Sequence, residues 1–290
     1  MKEIRGLYKK ALDILPTALA SRAFGLVSDV RLPENIQKFV NTAFVKLAGI
    51  DMNEAERPLQ DYKSLNAVFT RKLRDGARTP ADDLLVSPVD GRLSFFGETS
   101  KGMLIEAKGQ KYDVRELIGA LSDSGDDTAW LDDAYAFTIY LSPANYHGIH
   151  APMTGDITRM SYAPGRLLPV NRLGYVLTDD LLPRNERLTS FIQDDHGHRC
   201  ALVKVGATCV GRISVAYDDF KTNLTMTRMP FTKLLDPPFK AEKAEPLACF
   251  ELGSTVVLLA SKHGFHPSAE LRDGQVIKVG MALGTWSQDI

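Results

Sequence analysis

A carboxylate, two histidines and a serine stand in three separate stretches of the chain. Asp90 lies in Ser87-Pro88-Val89-Asp90-Gly91-Arg92. His147 and His150 lie in Tyr146-His147-Gly148-Ile149-His150-Ala151-Pro152, and Ser254 in Leu252-Gly253-Ser254-Thr255. Together they are the parts of a nucleophilic relay, in which an acid orients an imidazole and the imidazole deprotonates a hydroxyl. Ser254 lacks the G-x-S-x-G elbow of the α/β-hydrolases, so an external acyl group is not its obvious target. The small, unhindered Gly253-Ser254 peptide bond offers another. If the Ser254 hydroxyl attacks the Gly253 carbonyl, the amide becomes an ester and elimination from that ester breaks the chain. The new N-terminus is then dehydroalanine, which hydrolyses to a pyruvoyl ketone. The same tetrapeptide also suits a plain turn feeding the apolar run 256–260, and Asp90-Gly91 is a common turn dipeptide.

Other reactive side chains are less suggestive. The chain has six histidines and three cysteines. His196 and His198 read as an exposed hairpin tip, and His263 and His266 as loop residues. Cys200, Cys209 and Cys249 follow no metal spacing and read as small buried hydrophobes. His147 and His150 have no local cysteine or carboxylate to complete a metal site.

Several elements must bring the three stretches together. Residues 1–80 carry helical patterning: Ile4, Leu7, Tyr8, Leu12 and Leu15 up to Pro16, then Leu19, Ala23, Leu26 and Val27. A third helix opens at Pro33-Glu34, carries the stripe Ile36, Phe39, Val40, Ala43, Phe44 and Leu47, and ends at Gly49. A further helix before residue 80 places Phe69 and Leu73 on one face. Residues 1–50 hold eight basic and four acidic side chains in a chain of net charge −1. Such a basic amphipathic start suits either an interfacial membrane anchor or a helical hairpin packed on the main domain.

From about residue 84 the texture becomes short apolar runs. Strands are expected at 84–87, 93–96, 103–107, 135–141, 155–162, 201–205, 208–217, 255–260 and 276–282, with one helix near 113–121. With so few helices to cross over a parallel sheet, the pairing should be mostly antiparallel and the class α+β. Hydrophobic residues at 44% and charged ones at 24% are ordinary globular values. The near-zero net charge gives no overall pull toward nucleic acid. No apolar stretch reaches the eighteen or so residues of a spanning helix.

Taken in order, these motifs resemble the bacterial-type phosphatidylserine decarboxylases, which are self-processing pyruvoyl enzymes. The resemblance covers nearly the whole length. It runs through the helical start, Asp90-Gly91, Ala107-Lys108-Gly109, Tyr146-His147…His150-x-Pro152, Arg184-Asn185-Glu186-Arg187 and Gly206-Ala207-Thr208…Gly211, and closes on Leu252-Gly253-Ser254-Thr255. Gly148 departs from it, standing where a larger residue is often found.

The resemblance implies a β core similar to the hybrid barrel-sandwich domains, with an N-terminal membrane-associating region at 1–80 and a catalytic core at 81–290. Asp90, His150 and Ser254 would form the charge relay that cuts after Gly253, giving chains 1–253 and 254–290 that stay together, and this pair could in turn dimerise. Ser254 would become the pyruvoyl cofactor and form a Schiff base with phosphatidylserine. His147 would serve decarboxylation, as proton donor or substrate-orienting group. The products would be CO2 and phosphatidylethanolamine, and the site of action the cytoplasmic side of the cell membrane, peripherally on an anionic surface. Lys108, Arg166, Arg184 and Arg187 are candidates by charge alone for the lipid phosphate. The alternative is a serine hydrolase using Ser254, His150 and Asp90 in an uncut chain.

Overall fold

The structure is a computed structural model that describes residues 17–105, 111–119, 128–170, 174–175, 178–208, 212–223, 229–251 and 255–287. The helices are α1 (Thr17–Asp29), α2 (Glu34–Ala48), α3 (Leu65–Phe69), α4 (Val114–Ile118) and α5 (Leu181–Arg184). The strands begin with β1 (Leu85–Val86), β2 (Gly91–Glu98), β3 (Met103–Ile105), β4 (Lys111–Asp113), β5 (Ala134–Tyr140) and β6 (Gly148–His150). They continue as β7 (Gly155–Ala163), β8 (Arg187–Gln193), β9 (Arg199–Val205), β10 (Arg212–Val215), β11 (Asp218–Lys221) and β12 (Phe231–Ala241). The last are β13 (Pro246–Glu251), β14 (Thr255–Ser261), β15 (Phe265–Pro267), β16 (Val276–Ile277) and β17 (Ala282–Trp286).

The protein is α+β. Its main sheet has eight strands in the order β12-β7-β8-β9-β14-β5-β2-β16, and its second has four, β11-β10-β13-β6. Every pairing between these strands is antiparallel. β14 lies inside the main sheet, hydrogen-bonded to β5 and β9 along its length. Its side chains alternate between two cores. Val256, Leu258 and Ala260 join one apolar cluster, while Val257 and Leu259 join the other. That two-sided burial is why the run reads as continuously apolar rather than alternating.

Local chemistry explains the helix ends. α2 stops where Gly49 turns left-handed at φ 72°, a conformation glycine adopts without strain. Asp113 accepts from the backbone N–H groups of Arg115 and Glu116 to start α4, which ends at Gly119, a shorter helix than 113–121. α3 is capped by Ser64, whose side chain accepts from Ala67 N–H.

Three expectations are corrected. Leu73 is not on a helix with Phe69; it forms an isolated bridge with Ala55. The run 276–282 is divided between β16 and β17 by a turn. β4, β6, β8, β11, β12, β13 and β15 are not among the expected strands, since polar residues, Pro237-Pro238 in β12, or short length mask their alternation. The predicted helix carrying Ile4 to Leu15 lies outside the described residues.

The expected stripe of α2 is split: Val40, Ala43 and Phe44 are half-buried, with Phe44 packed against Phe69, while its other members face outward. Ile36, Phe39 and Leu47 are 52%, 75% and 89% exposed, and the buried positions are Gln37 and Asn41. Gln37 Nε2 donates to Asn41 Oδ1 at 2.8 Å, and Asn41 Nδ2 donates to the Tyr62 carbonyl at 2.8 Å. On α1, Phe24, Leu26 and Val27 are exposed as well. No helix among the described residues is long and apolar enough to cross a membrane.

Candidate active site

β6 carries the histidine pair, and it sits at the edge of the four-stranded sheet against β13. Gly148 pairs with Cys249, Ile149 with Ala248 and His150 with Pro246. One residue beyond the ladder, Phe250 N–H donates to the His147 carbonyl at 3.1 Å. The strand that runs into the Gly253-Ser254 bond is therefore the strand hydrogen-bonded to the histidines. Gly253 and Ser254 themselves lie outside the described residues, bounded by Glu251 at the end of β13 and Thr255 at the start of β14. The first sits in the four-stranded sheet and the second in the main one, where Thr255 pairs with Tyr140 and Val205. Glu251 is fixed by Arg212, whose Nε lies 2.6 Å from its carboxylate.

His150 is held at both ring nitrogens. Nδ1 lies 2.6 Å from the Ala244 carbonyl, which can only accept, so this nitrogen carries the hydrogen. Nε2 then bears the lone pair, and the Tyr146 hydroxyl donates to it at 3.0 Å. Burial pulls the imidazole below its ordinary range, leaving a neutral base at neutral pH. Burial also pushes the Tyr146 phenol up, so it stays a donor.

Asp90 sits on the turn between β1 and β2, 5% exposed. It makes no direct hydrogen bond to His150. Its Oδ1 accepts from Val279 N–H at 2.9 Å and from Arg78 Nε at 3.1 Å, and its Oδ2 accepts from Arg78 Nη2. Arg78 also pairs with Glu54 at 2.6 Å, holding that carboxylate down to about 2. The Asp90 turn is nonetheless pinned to β6, because His150 N–H donates to the Pro88 carbonyl at 2.8 Å. The Asp90 charge favours the protonated His150 ring through space rather than through a bond. The ring orientation that an acid provides in a standard triad comes here from Ala244.

His147 is fully buried. Its Nδ1 donates to the Asn145 carbonyl at 2.8 Å, and the Phe69 ring packs over it at a centroid distance of 3.9 Å. Burial holds it down to about 3, so it is a neutral acceptor at Nε2, not a standing acid. That nitrogen has no hydrogen-bond partner among the described residues, and neither does Oγ1 of Thr255, the residue after Ser254. Two such buried polar atoms, one on the residue whose carbonyl meets Phe250 and one on the residue after Ser254 in the chain, fit a site made to receive a polar group.

The remaining candidates divide. Arg187 uses its guanidinium on the main-chain carbonyls of Leu117, Pro183, Asn185 and Glu116, so it ties α4 and α5 to β8 and is not free for a phosphate. Arg184 is the last residue of α5, and Arg166 forms an isolated parallel bridge with Asn185, the residue after it. Lys108 and Cys209 lie outside the described residues. Burial pushes the Cys249 thiol up to about 12, which removes it as a nucleophile. His198 is buried and stacked on Trp286, with Nδ1 2.7 Å from Asp194 Oδ2, a structural pair rather than an exposed tip. Among the described residues no three potential metal ligands come together. The parts that sequence reasoning missed are Glu54, Arg71, Arg78 and the Ala244 carbonyl. They sit in irregular segments, or act through main chain, and leave no periodic trace.

Residues 65–285 match the family model for phosphatidylserine decarboxylase. The chain is 39% identical to a phosphatidylserine decarboxylase proenzyme of Brevibacillus brevis over 270 residues, 88% of this chain and 95% of that one. It is 37% identical to the proenzyme of Myxococcus xanthus, over 96% of this chain and 97% of the relative. To one from Helicobacter pylori it is 34% identical, over 91% and 95%.

Proposed function

Because the chain belongs to the phosphatidylserine decarboxylase family, we propose that it cuts itself between Gly253 and Ser254 and then removes the carboxyl group of phosphatidylserine. The products are CO2 and phosphatidylethanolamine. The observation that carries this reading is the pairing of β6 with β13. It lines two neutral histidines along the strand that leads into Gly253.

In the first reaction His150 is the base. Its Nε2 lone pair takes the Ser254 hydroxyl proton once Tyr146 moves off it, as the oxygen attacks the Gly253 carbonyl carbon. The proton then passes to the leaving amide nitrogen. Asp90 steadies the imidazolium through space, with its own position fixed by Arg78 and Val279. A ketone formed from Ser254 supplies the electron sink for the pair left on Cα when CO2 departs, the role of a carbonyl cofactor. His147 handles the second proton. The substrate amine arrives as an ammonium and must shed a proton to react. Nε2 of His147 is the vacant acceptor, and it returns that proton to Cα after CO2 has left.

Residues 1–80 serve as a membrane-associating region on the catalytic core of 81–290. The outward apolar faces of α1 and α2 support this, as do Arg31, Lys38 and Lys46 among them. The enzyme works peripherally on the anionic cytoplasmic face of the cell membrane. Chains 1–253 and 254–290 remain a heterodimer, which could itself pair. The test is an intact mass spectrum with and without hydroxylamine, followed by incubation with phosphatidylserine vesicles. Two species divided after residue 253, the smaller reactive toward hydroxylamine, with CO2 released from the vesicles, are expected. A single uncut chain that is folded and lacks a reactive carbonyl would sink the reading.

A further inference from the structure

Arg71 lies two residues past α3 and is 4% exposed. Its Nη2 donates to the Ala144 and Asn145 carbonyls at 3.2 and 3.3 Å, while Nε and Nη1 are buried without a partner among the described residues. The Asn145 carbonyl also accepts from His147 Nδ1, so guanidinium and imidazole hang from one oxygen. The carboxylates that feel the Arg71 charge are Asp90 and Glu54, and both are bonded to Arg78. The Tyr62 hydroxyl, another neighbour in its field, is buried and unpartnered too. A buried cation without a counter-ion is costly, and such groups are paired with something. The same segment reaches the cleavage strand, since Asn66 Nδ2 lies 3.4 Å from Glu251.

We propose that Arg71 is an anion-binding group of this site and that its partner is the phosphodiester of the lipid headgroup, an inference that rests on the decarboxylase reading. Three oxyanions could meet it: the phosphodiester, the substrate carboxylate and the carboxylate freed at Gly253. Pairing the substrate carboxylate would stabilise the ground state of a group that must lose its charge, and so slow the reaction. The phosphodiester keeps its charge throughout. Its phosphorus is three bonds from the reacting Cα, which brings it close to His147 and therefore to Arg71.

The test compares processed wild type with Arg71→Met on vesicles of phosphatidylserine in phosphatidylcholine. We expect the variant to cut itself completely and KM to rise about ten- to hundredfold, with kcat held within about threefold, as for a lost charge-assisted hydrogen bond. Inhibition by glycerophosphoethanolamine, a soluble phosphodiester, should disappear with it. Arg71→Gln, which can still donate to the Asn145 carbonyl, carries the same readouts if the methionine variant does not fold. An unchanged KM overturns the proposal. A rise in kcat alongside the rise in KM assigns Arg71 to the departing carboxylate, and incomplete cutting or separating chains assigns it to Gly253; either result overturns it. A wild type that neither cuts itself nor releases CO2 defeats the decarboxylase reading instead.

Discussion

At the residue scale, the tightest feature is the Tyr146–His150 bond and the glycine that permits it. A Cβ on Gly148 would lie 2.0 Å from the Tyr146 hydroxyl oxygen, so any side chain there must push the phenol off His150. In Tyr146→Phe the donated bond is lost, and a neutral imidazole without it is easier to protonate. Freshly refolded precursor of that variant should cut itself at least as fast near neutral pH, with its acid limb moved upward. Gly148→Ala should shift the limb the same way. Densitometry of cleavage from pH 4.5 to 8 would show it, and an unmoved limb in both variants would mean that Tyr146 is a bystander. His147 makes a second prediction. Its unfolded pKa is near 6.5 and its folded one about 3, so the unfolded chain binds the proton more readily. Its contribution is intact above pH 6.5 and is lost as pH falls toward 3. By pH 4 that amounts to about 3 kcal/mol. His147→Gln should flatten this part of the urea-midpoint profile. Asp90, His147 and His150 were legible because their residue types stand beside one another or on a turn. The acid's actual partner, Arg78, was not, because an arginine in a loop looks like any solvated charge.

At the element scale, the outward half of the α2 apolar stripe is the informative departure. Helical periodicity marks which residues share a stripe but not whether that stripe meets protein or something else. Gln37 and Asn41 turn inward because their amides satisfy one another and the Tyr62 carbonyl. Ile36, Phe39 and Leu47 are left outside, and the membrane-associating role proposed for this region would give them an apolar phase. Phe39→Glu with Leu47→Glu should therefore weaken sedimentation with anionic vesicles by tenfold or more. Self-cleavage of that double variant in detergent should be unchanged, and vesicle binding equal to wild type would reassign the face. The β core was legible where strands are buried on both sides, as in β14. It was not legible in β12, where exposed and half-buried residues and two prolines hide a strand hydrogen-bonded to β7.

At the scale of the whole molecule, residues beyond 254 are woven into what precedes them. β14 is paired on both sides, β16 pairs with β2 and β17 with β1. Val279 holds Asp90, and Lys278 reaches Glu54 at 2.7 Å. Arg78→Met, which leaves Asp90 and Glu54 without their shared cation, should cost about 3–5 kcal/mol. Chemical denaturation would measure that cost, and a loss under 1 kcal/mol would show the network to be dispensable.

The proposed cut point lies between Glu251, the end of a strand in one sheet, and Thr255, the start of a strand in another, so opening the chain there would sever no ladder among the described residues. The native arrangement can survive cleavage, yet the information needed to rebuild it does not. Before the cut, folding is unimolecular. After it, an unfolded molecule is two polypeptides that must find each other, and recovery depends on concentration. On the proposed cut, each processed molecule would keep the one folding event of its precursor, and lost activity would be replaced by synthesis rather than by refolding.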